Sequence, residues 1–569
     1  MFWRFRKINL PLAERLAADL EQPLKVGEFL AARGFKKADD VLAFIKADIR
    51  ELPGPMTLTD MDKAVERLLV ARRQDEKIAV CGDYDADGLT ASAVLGRGLK
   101  ELGHKAQIHI PNRLTDGYGL KPDTVRTLAA SGARLIITVD NGVSDEEAVI
   151  AAMAAGAEVI VTDHHQLPPK LPPALAIIDP HRDNSWQKAP PAGVGVAFLL
   201  LAALKRRYQE EKIIAANQGP NLMAYLPLVA IGTIADLAPL TGANRIMVRH
   251  GLSYLADSGW PGLEALKKIC RFSTGTRISP RDVGFSLAPR LNAAGRLGSA
   301  DPALELLLCE DEAKAVQLAT RLEEINRQRQ AGQRRLCDEA LERLELEVQS
   351  TSRVVVLAGE HWPRGLLGLA ASRVAEAAQK PTVLFSLDNG LAVGSGRTAG
   401  SFNLYRALSG LQHLFKSFGG HAQAAGLSLM ADQLEEFRAG LEEMASLEPT
   451  VATESELAVD FEASLADLDH LLRPLSALEP FGQDNPAPVA VVRRVRVTDA
   501  RPTGASGGNR MRMVLADGLK RREVTGFLAN RLCEVGREMD VALSLESSGY
   551  NGEVTLAWNL ADFQGPESD

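Results

Sequence analysis

The feature that most constrains the fold is an apolar run that leads through a carboxylate-rich turn into a helical pattern. Residues 78–81 have the composition of a short buried strand, and residues 91–95 open the helical pattern. Between them Asp83, Asp85 and Asp87 alternate, so an extended backbone would direct all three carboxylates to the same side. Such crowded carboxylates repel one another unless cations lie among them, and hard oxygen ligands suit Mg²⁺ or Mn²⁺. The turn is predicted to bind metal, with an acidic surface loop as the alternative.

Short apolar runs and helical patterns alternate after this turn. Strands are predicted at residues 107–110, 135–139, 159–162 and 176–178, and helices at 122–130 and 145–155. This alternation predicts an α/β domain with a parallel sheet covered by helices on both faces. Ligands of such sheets gather at the carboxyl ends of the strands. The acidic turn, Asp140 and the pair His164 and His165 all follow predicted strands directly.

The 569 residues are too many for one core, so several domains are expected. The patterns predict a helical lead-in (1–50), the parallel-sheet domain (51–310), a long connecting helix (311–350), a second α/β domain (351–450) and a strand-rich C-terminal domain (451–569). Five short strands in the last domain suit a small β-barrel of the oligonucleotide-binding (OB) type.

The predicted barrel has the composition of a surface for single-stranded nucleic acid. Residues 489–530 contain nine Lys or Arg against three acidic residues. Four aromatic residues lie in or near this stretch, and they are Phe481, Phe527, Tyr550 and Trp558. Bases stack on aromatic rings while basic side chains follow the backbone of the strand. Phe527 and Trp558 lie within predicted strands and are expected in the core instead.

Composition and cysteine use exclude several classes of protein. The five cysteines lie far apart without a CxxC pair, which indicates a reducing compartment and argues against a zinc module. The longest apolar stretch, residues 194–204, is too short to span a bilayer, and the first seven residues do not read as a signal peptide. A cytoplasmic protein without a membrane partner is therefore expected. The net charge of −8 disfavours nucleic acid only as an average over domains, which hides local patches.

Five carboxylates and two imidazoles together form a candidate two-metal centre, and they are Asp83, Asp85, Asp87, Asp140, Asp236, His164 and His165. Such a mixture can hold two divalent cations a few ångströms apart, the arrangement used for in-line attack on phosphorus. The imidazoles favour Mn²⁺ over Mg²⁺. The alternatives are an ordinary helix position for Asp236 and a strand-end cap for the neighbouring Asp163.

Several short motifs resemble those of the DHH phosphoesterase superfamily. They are Gly-Asp-Tyr-Asp-Ala-Asp-Gly at 82–88, Val-Asp-Asn-Gly at 139–142, Asp-His-His at 163–165, Ala-Pro-Arg-Leu-Asn-Ala-Ala-Gly-Arg at 288–296, Ser-Gly-Arg at 395–397 and Gly-Gly-His at 419–421. The ordered set most resembles the RecJ family of bacterial single-strand-specific 5′→3′ exonucleases, and only the first fifty residues fall outside it. The resemblance implies a DHH domain, a DHHA1 domain and an OB domain in that order.

The resemblance also implies roles for the site residues. The seven groups of the candidate centre would hold two divalent cations, Mn²⁺ or Mg²⁺, with Asp85, Asp87 and His164 as catalytic residues. Asp163 would orient an imidazole.

Phosphate-binding groups are expected in the later motifs, because arginine forks bind phosphate at two points. The candidates for contacts with the strand and its 5′-phosphate are Arg290, Asn292, Arg296, Ser395 and Arg397, with Arg113 and Arg373 as further candidates. Gly419 and Gly420 would expose backbone N–H groups to an anion, and His421 would donate to the scissile phosphate as a fourth catalytic residue. A surface ion pair is the alternative for any single arginine.

The function expected from this resemblance is 5′→3′ hydrolysis of single-stranded DNA to 5′-mononucleotides in recombination and repair. The expected partners are single-stranded DNA and, by resemblance, a single-strand-binding protein and a RecQ-type helicase; the chain is expected to be a monomer. One alternative is a DHH hydrolase of small substrates, which would not need the barrel and the connecting helix. The other is a catalytically silent scaffold that binds DNA at a replication complex, which would have lost metal ligands, and no matched position is lost here.

Overall fold

A computed structural model describes residues 2–113, 115–117, 119–273, 275–398, 400–447, 456–503, 510–526, 533–550 and 553–565, without the side chains of 547–550 and 553–555. The predicted aromatic contacts of Phe527 and Tyr550 therefore lie outside the described atoms. None of the described helices combines the length and the apolar composition needed to cross a membrane.

The N-terminal segment contains one strand and three helices, which are β1 (Phe2–Phe5), α1 (Leu10–Asp19), α2 (Leu24–Ala32) and α3 (Ala38–Lys46).

The domain that follows is built on five parallel strands, as predicted. The strands are β2 (Lys77–Gly82), β3 (Lys105–His109), β4 (Ala133–Val139), β5 (Glu158–Thr162) and β6 (Ala176–Ile178), in the order β3-β2-β4-β5-β6. The helices are α4 (Met61–Arg73), α5 (Ala86–Glu101), α6 (Pro122–Ala130), α7 (Glu146–Ala154) and α8 (Gly193–Glu210). Strand β2 is buried on both faces, because Ile78 and Val80 enter one core while Ala79 and Cys81 enter the other. The strand order reverses between β2 and β4, where open α/β sheets bind their ligands.

A helical layer completes this domain and leads to the next one. Its helices are α9 (Leu222–Ala235), α10 (Gly242–Leu255), α11 (Pro261–Ile269), α12 (Pro280–Asp282), α13 (Ala288–Leu297) and α14 (Asp301–Leu308). Helix α15 (Glu312–Glu347) then runs for 36 residues. Leu322 in its first half packs in the core of the parallel-sheet domain, and Leu336 in its second half packs in a core of the next domain. The predicted connecting helix is therefore also a structural part of both domains.

The second domain is a mixed sheet with helices. Its elements are β7 (Val355–Glu360), α16 (Leu367–Ala378), β8 (Thr382–Asp388), β9 (Leu391–Arg397), α17 (Leu404–Ser409), β10 (Ser417–Gly420), β11 (Ala424–Met430) and α18 (Leu434–Leu447). The strand order is β10-β11-β9-β8-β7, and only β7 and β8 are parallel. The antiparallel half, β9 to β11, was not predicted.

The C-terminal domain is a curled antiparallel sheet with one helix. Its elements are β12 (Glu456–Val459), β13 (Phe461–Glu462), α19 (Asp467–Ser476), β14 (Val489–Thr503), β15 (Arg510–Asp517), β16 (Lys520–Gly526), β17 (Glu538–Tyr550) and β18 (Glu553–Gln564). The five long strands have the order β16-β15-β14-β17-β18. The two ends of the sheet meet, since a Cβ added at Gly526 would lie 2.1 Å from the carbonyl oxygen of Leu560. This architecture agrees with the predicted OB barrel.

The N-terminal segment packs on the C-terminal domain and shares its core. Strand β1 pairs in parallel with β12, from Phe2 opposite Glu456 to Phe5 opposite Val459. The indole N–H of Trp3 donates to Asp562 at 2.8 Å, across 559 positions of sequence. The sequence predicted only a helical lead-in here, because pairing over such a separation leaves no local pattern.

At least four of the nine basic side chains counted in the barrel form ion pairs with acidic residues of the same domain. Arg493 lies 2.7 Å from Asp540, Arg501 lies 2.7 Å from Asp499, and Arg522 pairs with Asp469. The local count of basic residues therefore overstated the free positive charge of this surface. Trp558 is buried and donates to the carbonyl oxygen of Leu468, as expected for a core residue.

Candidate active site

The acidic turn closes more tightly than the sequence predicted. Asp85 is the N-cap of α5, and its Oδ1 accepts hydrogen bonds from the backbone N–H groups of Asp87 and Gly88 at 2.9 and 3.1 Å. Asp87 lies in the first helical turn, so the predicted extended backbone does not include it. A Cβ at Gly88 would lie 2.6 Å from backbone atoms of Asp83, so only glycine fits there. The three carboxylates still converge, because the chain folds back on itself at this point.

The ends of three neighbouring strands bring the predicted ligands together. In three overlapping groups, potential ligand atoms lie within 4.8 Å of one another: Asp83, Asp85 and Asp140; Asp87, His164 and Asp236; and Asp140, His164 and His165. Asp236 reaches the set from the C-terminal end of α9. All seven predicted ligands are therefore in one cluster, and two of its members, Asp140 and His164, are shared between groups.

Unpaired buried atoms show that the cluster fits cations. Asp83 Oδ1, Asp140 Oδ1 and His164 Nε2 are buried and have no hydrogen-bond partner in the described part of the chain. His164 Nε2 lies 3.0 Å from Asp140 Oδ1 and 3.7 Å from Asp87 Oδ2. Buried polar atoms are normally paired, and carboxylate and imidazole lone pairs that converge without a proton donor are the ligand set of a divalent metal site.

Burial and mutual repulsion raise the pKa values of these carboxyl groups. Burial, reinforced by Asp236, raises the pKa of Asp87 to about 7. Burial likewise raises the pKa of Asp83 and of Asp140 well above the ordinary value, with neighbouring carboxylates adding to the effect. A divalent cation favours the ionised forms and so removes this penalty.

Asp163 holds one of the imidazoles from behind. Its Oδ1 accepts a hydrogen bond from His165 Nδ1 at 2.7 Å, and its Oδ2 accepts one from the backbone N–H of Val143 at 3.0 Å. Burial opposes ionisation of Asp163, but His165 draws its pKa below the ordinary value. Burial opposes the protonated ring of His165, yet the hydrogen bond to Asp163 raises its pKa to about 9. Asp163 thus orients the ring of His165 through Nδ1, which is the role predicted for it.

The sequence reasoning missed the amides that hold Asp87 and the buried Asp179, which acts electrostatically on His164. The backbone N–H groups of Gly193 and Val194, at the start of α8, donate to Asp87 at 2.7 and 2.9 Å. Asp179 follows β6 directly and is buried, and burial raises its pKa to about 6. The strand-end rule that found Asp140 applies equally to Asp179, whereas no local signal marks the amides.

An arginine cluster lies beside the acidic cluster. Arg113 stacks on Tyr84, with 5.1 Å between its guanidinium carbon and the ring centroid. Burial and the neighbouring Arg113 and Arg329 lower the pKa of Arg296 to about 10, and burial and Arg113 lower that of Arg397. Among the described residues no carboxylate forms an ion pair with Arg113, Arg296, Arg329 or Arg397. Arg329, on α15, was not predicted; its guanidinium donates to the side-chain oxygens of Asn326 and Gln333, which leave its charge uncompensated.

The second domain contributes an open surface next to this cluster. Gly419, Gly426 and Ser395 lie in one row across β10, β11 and β9, so they share a face of the sheet. A Cβ at either glycine would meet nothing within 4 Å. Arg397 follows two positions after Ser395 and donates to its Oγ at 3.2 Å. A ligand can therefore approach the backbone beside a serine hydroxyl and a guanidinium.

The remaining predicted contacts are less exposed to a ligand than the sequence suggested. Arg290 pairs with Glu323 at 2.7 Å and with the carbonyl oxygen of Ser286, so much of its fork is used internally. The side-chain oxygen of Asn292 accepts the N–H of Ala86 at 2.6 Å and so ties α13 to the acidic turn.

Arg373 and His421 lie at the surface of the second domain. Arg373 is exposed on α16 and lies 3.9 Å from Glu376. His421 is exposed in the turn after β10, and its backbone N–H donates to Ala424. Gly420 just before it has a φ of 144°. No described contact joins Arg373 or His421 to the acidic cluster.

A cavity of about 410 Å³ lies between the parallel-sheet domain and the C-terminal domain. Leu237 and Phe285 line it on one side and Phe481 and Leu545 on the other. Leu237 directly follows the predicted ligand Asp236, so the cavity borders the turn that carries this residue.

Comparison with known proteins identifies the three domains. Family models match residues 77–233 (DHH family, N-terminal domain), 351–446 (DHHA1 domain) and 459–562 (RecJ OB domain). The single-stranded-DNA-specific exonuclease RecJ of Bacillus subtilis is 33% identical over 99% of this chain and 72% of its own length.

Solved structures of Thermus thermophilus RecJ superpose on the whole chain. The complex with Mn²⁺ matches with a TM-score of 0.83 and 31% identity, covering 100% of this chain and 80% of that one. The complex with Mg²⁺ matches with a TM-score of 0.78 and 30% identity, covering 100% and 79%. The fold, the domain order and the identity over nearly the full chain agree, and this protein belongs to the RecJ family of single-stranded-DNA-specific exonucleases.

Proposed function

We propose that the protein degrades single-stranded DNA from its 5′ end and releases 5′-mononucleotides, in DNA recombination and repair. The observation that carries this proposal is the pair of adjoining clusters of opposite charge. One cluster consists of carboxylates and imidazoles, some with buried atoms that no described residue pairs, and the other of arginines that form no ion pair with a carboxylate of the described residues. Carboxylates that can bind metal cations lie beside guanidinium groups that can bind a phosphate. This arrangement suits metal-assisted hydrolysis of a phosphodiester.

The residues of the acidic cluster would hold two divalent cations, Mn²⁺ or Mg²⁺. When bound, these cations supply an activated water and neutralise the non-bridging oxygens of the phosphate. Asp83, Asp85 and Asp140 form one candidate ligand group, and Asp87, His164 and Asp236 the other, with His165 next to Asp140. Asp163 would orient the ring of His165 through Nδ1. His421 remains the proposed proton donor to the scissile phosphate.

Polarity would come from the arginine cluster. A terminal phosphate carries more negative charge than an internal diester, so it gains more from uncompensated guanidinium groups. Arg397 in the second domain and Arg113 and Arg296 in the first supply these guanidinium groups, and Ser395 supplies a hydroxyl beside Arg397. Arg329 adds a fifth polar side chain to the same region. The distance from this cluster to the metal ligands would fix the product as a mononucleotide.

Single-strand selectivity would come from the cavity beside the turn that carries Asp236. The cavity of about 410 Å³ between the domains is far too small for a duplex, and it is lined by apolar side chains such as Phe285 and Phe481. Such a lining suits unstacked bases. A hydrolase of very small substrates would not need the cavity or the OB domain. A catalytically silent scaffold would not need the complete set of metal ligands.

Protein partners, oligomeric state and compartment are proposed as follows. A single-strand-binding protein and a RecQ-type helicase are the proposed protein partners, by family resemblance, and the chain is proposed to act as a monomer. The five free cysteines support a reducing compartment, and we propose the cytoplasm.

Degradation of end-labelled oligonucleotides with and without Mn²⁺ tests the activity and its polarity. We expect metal-dependent release of 5′-mononucleotides from the 5′ end, and faster degradation of 5′-phosphorylated than of 5′-hydroxyl strands. Arg397→Ala should reduce that preference about tenfold, more than it slows cleavage of a 5′-hydroxyl strand, since one charge-assisted contact is worth roughly 1.5–3 kcal/mol.

Arg406→Ala is the matched control, because Arg406 is an exposed arginine of the same domain on α17. Its preference for 5′-phosphate should equal that of the wild type. Shortening from the 3′ end, or efficient cleavage of circular single strands, would refute the proposed polarity. Hydrolysis of dinucleotides alone would favour the small-substrate alternative, and no hydrolysis with either metal would favour the scaffold.

A further inference from the structure

The turn after α9 carries the candidate metal ligand Asp236. Asp236 lies at the C-terminal end of α9, and Leu237 after it has a left-handed backbone with a φ of 59°. Backbone N–H groups hold the carboxylates of Asp85 and Asp87. No such hydrogen bond to the Asp236 carboxylate occurs within the described ranges. The position of this carboxylate therefore depends on the backbone that carries it.

A loop of the C-terminal domain packs directly on that backbone. We call residues 478–485 the interdomain loop. The backbone N–H of Leu240 donates to the carbonyl oxygen of Gln483 at 2.8 Å. Gly482 lies so close that an added Cβ would be 2.6 Å from Leu240 Cδ1. The interdomain loop thus fits against residues 237–240 by a hydrogen bond and by the absence of a side chain.

Arg245 on α10 joins this loop to two other segments. Its side chain is buried, with the residue 2% exposed. Nη2 donates to the carbonyl oxygen of Glu479 at 2.8 Å, and Nε donates to that of Phe44 at 2.8 Å. Its guanidinium carbon lies 3.6 Å from the centroid of the Phe44 ring. One cation therefore connects the catalytic domain, the interdomain loop and the end of the N-terminal segment.

The chemistry of this contact favours a positional role. Burial, with the neighbouring Arg249, lowers the pKa of Arg245 to about 9. Its hydrogen-bond acceptors are backbone carbonyl oxygens, and no described carboxylate forms an ion pair with it. A buried cation held by dipoles gains little net stability, but the dipoles fix where each backbone segment must lie. Arg249 reinforces the same loop, because it also donates to the carbonyl oxygen of Glu479, at 3.0 Å.

We propose that Arg245 is a positioning residue for the metal centre: it fixes the interdomain loop against residues 237–240 and thereby holds the backbone that presents Asp236. Docking of the C-terminal domain and metal binding are then coupled, and each favours the other. The inference rests on the proposed function only in that Asp236 is a metal ligand.

Calorimetric titration of the full-length, DNA-free protein with Mn²⁺ tests this coupling without relying on activity. Arg245→Met keeps much of the side-chain volume and removes the donors. It should weaken the binding of one of two Mn²⁺ ions about tenfold, as expected when the support of a metal ligand is lost. The affinity for the other Mn²⁺ ion should not change. Gly482→Ala should have the same selective effect, because its added methyl group would press on Leu240 Cδ1. Asp236→Asn tests the ligand assignment itself and should weaken the same ion more strongly.

Lys267→Met is the matched control. Lys267 is equally buried, donates to the carbonyl oxygens of Leu255 and Ala256 and pairs with Glu264, but these three partners all lie within the catalytic domain. Its Mn²⁺ binding should be that of the wild type.

The proposal is overturned if folded Arg245→Met binds both ions normally, or if the control loses as much affinity. Should Arg245→Met fail to fold by circular dichroism, Gly482→Ala decides, and normal binding there overturns the proposal. Normal binding by Asp236→Asn would instead refute the ligand assignment.

Discussion

Replacing Asp87 by asparagine should weaken the pH dependence of stability of the metal-free protein. Burial and Asp236 raise the pKa of Asp87 from 3.8 to about 7. A carboxyl group whose pKa is raised by folding contributes stability that is fully present below pH 3.8 and lost as the pH rises through about 7. The raised pKa values of Asp83, Asp140 and His165 act in the same direction. The metal-free wild type should therefore become less stable from pH 5 to pH 8.

The magnitude follows from the size of the shift. The pKa of Asp87 is raised by about three pH units, and each pH unit corresponds to ~1.4 kcal/mol in the free energy of unfolding. Between pH 5 and pH 8 the protein loses the stability that corresponds to about two of these units. Asp87 alone should thus account for ~3 kcal/mol of lost stability, or roughly 5–10 °C in Tm for a domain of this size. Asparagine keeps the shape but cannot ionise, and it leaves one of the donors Gly193 and Val194 unpaired at every pH.

Differential scanning calorimetry in EDTA at several pH values between 5 and 8 measures this effect. The fall in Tm should be smaller in Asp87→Asn than in the wild type, while Asp62→Asn, an exposed carboxylate of α4, should follow the wild type. Added Mn²⁺ should raise the Tm of the wild type most at pH 8, because the ionised ligands bind it, and should raise that of Asp87→Asn less. Equal pH dependence in wild type and Asp87→Asn would refute the reasoning.

Two further changes test the supports of the site and of the fold. Asp163→Asn should weaken Mn²⁺ binding about 10–100-fold, because the ring of His165 loses its charged acceptor; titration calorimetry measures it, and unchanged affinity would exclude an orienting role. Deleting residues 451–569 alone should give aggregated protein, since Leu16 and Phe29 of the N-terminal segment lose the core they share with Phe461. Deleting residues 1–47 as well should restore a monodisperse peak in size-exclusion chromatography, and equal behaviour of the two deletions would contradict the shared core.

The sequence by itself determined the parallel sheet and the membership of the acidic cluster. Four of the five strands, β2, β4, β5 and β6, are short and mainly apolar and have an aspartate directly after them, so that their carboxyl ends could be located without knowledge of the fold. Parallel strands place those ends along one edge, and this geometric rule brings Asp83, Asp140 and His164 together. The C-terminal barrel was predictable for the same reason, since its strands and turns are local.

Tertiary structure decided which charges are free and which segments belong together. Nothing in the sequence distinguishes Arg290 and Arg493 from unpaired arginines, but each has an acidic partner more than 30 positions away, Glu323 and Asp540 respectively. Arg329 stayed unnoticed within a charged helix until folding placed it beside Arg296.

The N-terminal segment and Arg245 show the same limit. Strand β1 finds its partner β12 more than 450 positions later in the chain, and Arg245 finds the carbonyl oxygens of Phe44 and Glu479 on either side in sequence. A local pattern reports what a segment buries, because burial repeats with the period of the helix or strand. It does not report the partner of a single charge or edge, because that contact occurs once and is created only when distant segments meet.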